Sequence, residues 1–223
     1  MRTCRLLLFS LSILVSCQNK TTVKDNDPLE GIRSVTYSDI VTGMSNQFDE
    51  VLQSYGEELM HNKMGAIVAL NPSNGVILAG IASPDAKMFD HIRPVVKECE
   101  DIVNGECRNG LVQELWLNVN GPAGSGSKAW IAHVDGLDVC GDARNPENPE
   151  GFYHSVFLGF APKSDPQIAI VVYVENGRYG AAYAAPIASL MIEKYLRGGT
   201  ARPELEKRMK SANLANRVIY NYQ

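Results

Sequence analysis

One spacing in this sequence has the form of a catalytic motif: Ser125-Gly-Ser-Lys128 is its single S-x-x-K. In serine acyl transfer such a pair supplies the hydroxyl that attacks and the amine that takes its proton, while backbone N–H groups stabilise the oxyanion. That chemistry needs the motif to open a buried helix, so that the two side chains face each other one turn apart. Here the pair sits in Gly121-Pro-Ala-Gly-Ser-Gly-Ser127, where each glycine disfavours a helix by about 1 kcal/mol. A loop leading into the next element is the plainer reading of Ser125 and Lys128. The same glycines could bring N–H groups to a phosphate, but the spacing is not that of a Walker loop, and Ala129 after the lysine offers no hydroxyl for a magnesium ion. His61, His91, His133 and His154 are scattered without ligand spacing, and no two cysteines form C-x-x-C. No metal and no other cofactor is therefore predicted.

The elements that would have to position any site are clearest from His154 to Arg197. Ser155–Ala161 and 167–174 are short runs rich in Val, Ile and Phe, joined by Pro162-Lys-Ser-Asp-Pro166, which reads as a hairpin. Ile187, Leu190, Met191, Lys194 and Tyr195 then recur at helical spacing. Pro186 falls in the first turn and Gly198-Gly199 just past the end. Earlier, Phe48, Val51, Leu52, Tyr55 and Leu59 form one stripe of a helix that Ser45 or Asn46 could cap. Two apolar runs follow, between Met64 and Pro84, joined by Asn71-Pro-Ser-Asn-Gly75, a hairpin signal. Leu111–Val119 is a helix candidate, and 129–141 reads as an extended run interrupted at Asp135-Gly136. The segment 85–109 suggests only short helices. From Thr200 on, Leu205, Met209 and Leu214 lie along one side of a last helix that could pack on the domain or dock a partner.

The ordered segments VFLGFAP (156–162), DPQIAIVVYVENG (165–177) and AAPIASLMIEKYL (184–196) resemble the last two strands and closing helix of the transpeptidase domain of class B penicillin-binding proteins, the elongation type in particular. The helix and hairpin at 46–84 resemble the opening of the same domain. The resemblance implies an α/β fold, a reduced β-lactamase/transpeptidase-like architecture with about five antiparallel strands flanked by N- and C-terminal helices. It also exposes a gap. The family's long helical lobe, which carries S-x-x-K on a helix and S-x-N, has only 85–109 in which to sit, so the lobe is predicted to be missing. The family's third strand bears K-[ST]-G, whereas here Cys140-Gly141 is followed by Asp142-Ala-Arg144 and then Asn145-Pro146. Asp142 and Arg144 could mark a binding groove, or could simply solvate an edge strand. Trp116, Trp130, Phe152, Tyr153, Tyr179 and Tyr183 could line a groove or fill the core.

The 223 residues are 45% hydrophobic with a net charge of −4, which suits one globular domain, predicted at 39–223, and gives no basic excess for nucleic acid. Residues 1–17 put Arg2 and Arg5 ahead of an apolar run too short to span a membrane. The run ends in Leu14-Val-Ser-Cys17, which resembles a lipoprotein signal whose Cys17 takes the lipid; an ordinary secretory signal is the other reading. The polar stretch 18–38 reads as a tether. Of the remaining cysteines, Cys99 and Cys107 could close a small disulfide loop in an oxidising compartment, and Cys140 reads as a buried thiol. The combined reading is a lipid-anchored cell-envelope protein on the periplasmic face or the outer membrane. It is predicted to be non-catalytic, to bind peptidoglycan or a cell-wall-synthesis protein, and to be capable of homodimerising through surface bared by the missing lobe. The alternative is a residual penicillin-binding serine acyltransferase or transpeptidase using Ser125 and Lys128.

Overall fold

The computed structural model describes residues 48–74, 76–82, 111–121, 128–149 and 151–214. The signal-like segment, the tether, Cys17, Cys99, Cys107 and Ser125 lie outside the described residues.

Helix α1, Glu50–Met60, starts one turn later than the proposed caps: Asp49 is the N-cap, its carboxylate accepting the Leu52 N–H at 2.9 Å. An aspartate at this position satisfies an orphan amide and complements the helix dipole. Strands β1 (Gly65–Leu70) and β2 (Ile77–Ala82) form the first hairpin, and β4 (Ser155–Ala161) and β5 (Ile168–Val174) the second. Between them come helix α2 (Leu111–Asn120), a short 3₁₀ helix (Lys128–Ala132) and strand β3 (Cys140–Arg144). Helices α3 (Ala184–Arg197) and α4 (Pro203–Ser211) close the described chain. All neighbouring strands are antiparallel, in the order β2-β1-β5-β4-β3. The five-stranded antiparallel sheet with flanking helices is thus as the sequence reading expects.

One further difference is local. The stretch 129–141 is not an extended run. It begins as the 3₁₀ helix, turns at Asp135-Gly136, and becomes a strand only at Cys140. The physical reason is the spacing of its small residues: Ala129 and Ala132, three apart, are both fully buried, which matches a three-residue turn. The last helix packs on the domain, with Met209 buried and Leu214 beyond it buried as well.

The central strands are buried on both faces, which explains why their sequences run apolar without alternation. Ile168, Ile170, Val172 and Val174 of β5 join the core under α1 and α3, while Ala169, Val171 and Tyr173 face the α2 side. Each large side chain taken from water contributes about 1.5–3 kcal/mol, so Ile187, Leu190, Met191 and Ile192, all buried on α3, are a principal clamp on the first face. Gly198 stops α3 with φ 75°, a left-handed conformation that glycine adopts without a Cβ penalty, and its N–H reaches Lys194 O.

The β2 edge of the sheet is met by a side chain. The Gln53 amide, on α1, donates to Gly80 O at 3.1 Å and accepts from Gly80 N at 2.9 Å, imitating the peptide of a neighbouring strand against β2. Lys63, buried before β1, donates to Met209 O at 2.5 Å and His61 O at 3.1 Å, tying the end of α4 to the end of α1. Burial pushes its ammonium down to about 8.

Candidate functional site

At the other edge lies β3. Gly141 stands opposite Gly159 on β4, and a Cβ on Gly141 would come within 2.3 Å of the Phe157 ring. The two glycines therefore make room for that ring on the α3 side. Strand alternation sends Cys140, Asp142 and Arg144 to the opposite face, where Cys140 joins the α2 cluster. Asp142 and Arg144 are brought together: Arg144 Nε donates to Asp142 Oδ2 at 2.8 Å, with both side chains about a third exposed. A guanidinium cannot serve as a general base, and the carboxylate beside it is already partnered. Cys140 is a free, buried thiol whose ionisation is pushed up to about 12 by burial.

Next to β3 the 3₁₀ helix and α2 meet in a polar cluster. Asn120 donates from Nδ2 to Trp116 O at 3.0 Å and Val139 O at 2.7 Å, which fixes its amide and turns Oδ1 towards His133 Nδ1 at 2.8 Å. His133 Nε2 faces Asp135 Oδ1 at 3.0 Å. Both ring nitrogens thus face side-chain oxygens of the cluster. Arg197 donates to Asp135 O and so ties this turn to the end of α3.

Behind the cluster, the connection from α3 to α4 is organised by one buried carboxylate. Glu193 accepts from Thr200 Oγ1 at 2.8 Å, Arg202 Nε at 2.9 Å and Ala201 N at 3.1 Å, and Arg197 Nη1 lies 3.6 Å away. Burial alone would raise this carboxyl. The hydrogen bonds from Ala201, Thr200 and Arg202, with the Arg202 charge, outweigh it and hold the group below its ordinary value. Arg202 Nη1 also reaches Ser189 Oγ at 3.1 Å and His133 O at 3.4 Å, while Nη2 is buried without a partner among the described residues.

This knot forms one side of a cleft of about 690 Å³ between the 3₁₀ helix and α4. Its walls include Trp130, Ile131 and His133 on one side and Glu204, Leu205 and Arg208 on the other. The Trp130 indole is half exposed. A cleft of this size, with an apolar lining and a few charged groups, has the character of a small-ligand site.

The candidates named from the sequence are therefore dispersed. Lys128 opens the 3₁₀ helix, Asp142 and Arg144 pair on the β3 edge, and Trp130 lines the cleft. Phe152, Tyr153 and Tyr179 are exposed, with Arg178 stacked 4.3 Å over the Phe152 ring. Trp116 and Tyr183 pack at the margins of the two cores. His154 accepts the Asn176 N–H at 3.4 Å and lies against Tyr173, which is a structural role. Sequence reasoning passed over Glu193, Arg202 and the His133 cluster. A carboxylate following Leu190-Met-Ile in an otherwise apolar helical stretch was the available signal for the first.

No protein-family model matches this sequence, and no curated protein is similar to it. Solved structures similar to this one include the transpeptidase domain of the FtsI4 D,D-transpeptidase from Legionella pneumophila, at 14% identity and a TM-score of 0.41, covering 67% of this chain and 98% of that one. The D,D-transpeptidase domain of a peptidoglycan glycosyltransferase from Eggerthella lenta is similar at 11% identity and a TM-score of 0.45, covering 83% and 91%. Penicillin-binding protein A from Mycobacterium tuberculosis is similar at 14% identity and a TM-score of 0.44, covering 68% and 81%. Among the described residues, no helix is long and apolar enough to cross a membrane.

Proposed function

We propose that this chain is a non-catalytic, lipid-anchored protein of the cell envelope that uses a transpeptidase-like sheet to bind peptidoglycan or a cell-wall-synthesis component. The observation that carries the reading is the Asp142–Arg144 pair. Where the sequence resemblance expects a lysine and a hydroxyl on the edge strand, this strand presents a carboxylate and a guanidinium that neutralise each other. Such a pair can recognise polar ligands but lacks the amine and the hydroxyl that the resemblance expects at this place. The lipobox-like Leu14-Val-Ser-Cys17 supports the anchor, since several acyl chains on one cysteine make membrane attachment stable.

Intact-protein mass after incubation with a fluorescent penicillin tests the non-catalytic part, with wild type and Ser125→Ala compared. No adduct is expected on either. An adduct on the wild type that Ser125→Ala abolishes would overturn the proposal and assign a relocated nucleophile. Sedimentation with purified sacculi, repeated with Asp142→Asn/Arg144→Gln, tests the binding part, and mass analysis of the N-terminal peptide tests lipid on Cys17. Size-exclusion mass of the chain in detergent reports whether a second copy covers part of its surface.

A further inference from the structure

We infer that the cleft between the 3₁₀ helix and α4 is a binding site for a short zwitterionic peptide, about a dipeptide in length, distinct from the β3 edge. The cleft holds about 690 Å³, ample for such a ligand. Its charges are arranged in an unusual way. Glu204 and Arg208 are four apart on α4, so their side chains share one face with Cβ atoms about 5–6 Å apart, and both line the cleft. Yet the ion pairs of α4 itself run through Glu206 and Lys210: Lys210 Nζ lies 2.7 Å from Glu206 and 2.6 Å from Glu58 on α1. Among the described residues no ion pair engages Glu204 or Arg208.

A carboxylate and a guanidinium held side by side and left unpaired are complementary to a ligand carrying an ammonium and a carboxylate at similar separation. An extended dipeptide spans about 7 Å between its ends. Its carboxylate would take the Arg208 fork and its ammonium Glu204, leaving an apolar side chain against Ile131, Leu205 and the half-exposed Trp130 indole. The wall carrying Arg208 is held in place by the Glu193–Arg202 knot at the start of α4, and the indole wall by the Arg202 contact to His133 O. The backbone of both walls is thus fixed before binding, which orders chiefly the exposed Glu204 and Arg208 side chains.

The test uses the full chain in detergent micelles, with glycyl-leucine as the probe and tryptophan fluorescence and calorimetry as readouts. Saturable binding with a Kd of about 1 mM or tighter is expected. N-acetylglycyl-leucine and glycyl-leucinamide, each lacking one charge, should bind about tenfold more weakly or worse, as should glycyl-leucine to Glu204→Gln or Arg208→Gln. Trp130→Phe should remove the fluorescence change. Both charge variants alter exposed side chains, so their urea midpoints should match the wild type. The inference is overturned if glycyl-leucine shows no saturable binding, or if the doubly blocked N-acetylglycyl-leucinamide binds as well as the free dipeptide. Equal binding by all variants would also overturn it. The blocked peptides decide the question even if a variant is unstable, and none of these outcomes bears on penicillin acylation or sacculus binding.

Discussion

Glu193→Gln should be among the most damaging single changes on α3. The carboxylate gathers two hydrogen bonds on Oε2, from Thr200 and Arg202, and on Oε1 one from Ala201 with Arg197 nearby. A glutamine keeps the shape but replaces one of these oxygens by a donor, so at least one N–H group then faces another, and Arg202 loses its counterion. Breaking one side of a buried pair costs about 3–5 kcal/mol. Arg202 remains about a quarter exposed, which lets water recover part of this, so we expect a loss of about 3 kcal/mol. For a chain of this size that lowers Tm by roughly 6–12 °C. The pH dependence gives a second signature. Because the folded carboxyl is held below its ordinary value of 4.5, its stabilising effect is complete above 4.5 and is lost as pH falls through the lower folded value. Urea unfolding of wild type and variant at neutral pH and in steps towards acid would show this. The wild type should lose its advantage over Glu193→Gln only below about pH 4.5. A neutral-pH difference under about 1 kcal/mol, or acid limbs that run parallel, would refute the account. Removing the arginine as well, as Glu193→Gln/Arg202→Met, should restore part of the loss.

Three further outcomes follow from burial and close approach. Lys63 has its folded value lowered from 10.5 to about 8, so the unfolded chain binds the extra proton between these values and its contribution makes stability rise across that window; Lys63→Met should flatten that rise in urea titrations. Gly141→Ala would drive a methyl into the Phe157 ring and should cost about 1–3 kcal/mol in the same assay, with Phe157→Leu in the same chain relieving part of it. Cys140 should resist alkylation in the folded protein and react once urea unfolds it, as peptide mapping would show; native labelling at the unfolded rate would mean that β3 opens readily.

The hairpins and α3 were legible because each is written locally: β-branched runs around turn residues, then a helical stripe ended by Gly198. Sheet order was not, since nothing near Ala66 names Tyr173 as its partner. The misreading of 129–141 has a similar origin. Apolar residues at Trp130, Ile131 and Val134 satisfy an extended pattern, and only the burial of Ala129 and Ala132 against α3 and its neighbours chooses the tighter helix. Asp142 and Arg144 were visible as charges, but their mutual pairing depends on the strand placing alternate residues on one face. The cleft was invisible altogether. Its walls lie on segments far apart in sequence, and Trp130 and Arg208 acquire a joint meaning only when Glu193 fixes the start of α4 beside His133.

The position of β5 between β1 and β4 constrains how the molecule is made. During synthesis the β1–β2 hairpin emerges early, yet the edge of β1 that will face β5 has no partner until Val174 has left the ribosome. Gln53 shields only the β2 side. While the chain from Leu70 to Val174 is being made, the nascent chain therefore carries a hydrophobic strand edge open on one flank, and holding it apart from other nascent chains falls to chaperones or to the speed of elongation.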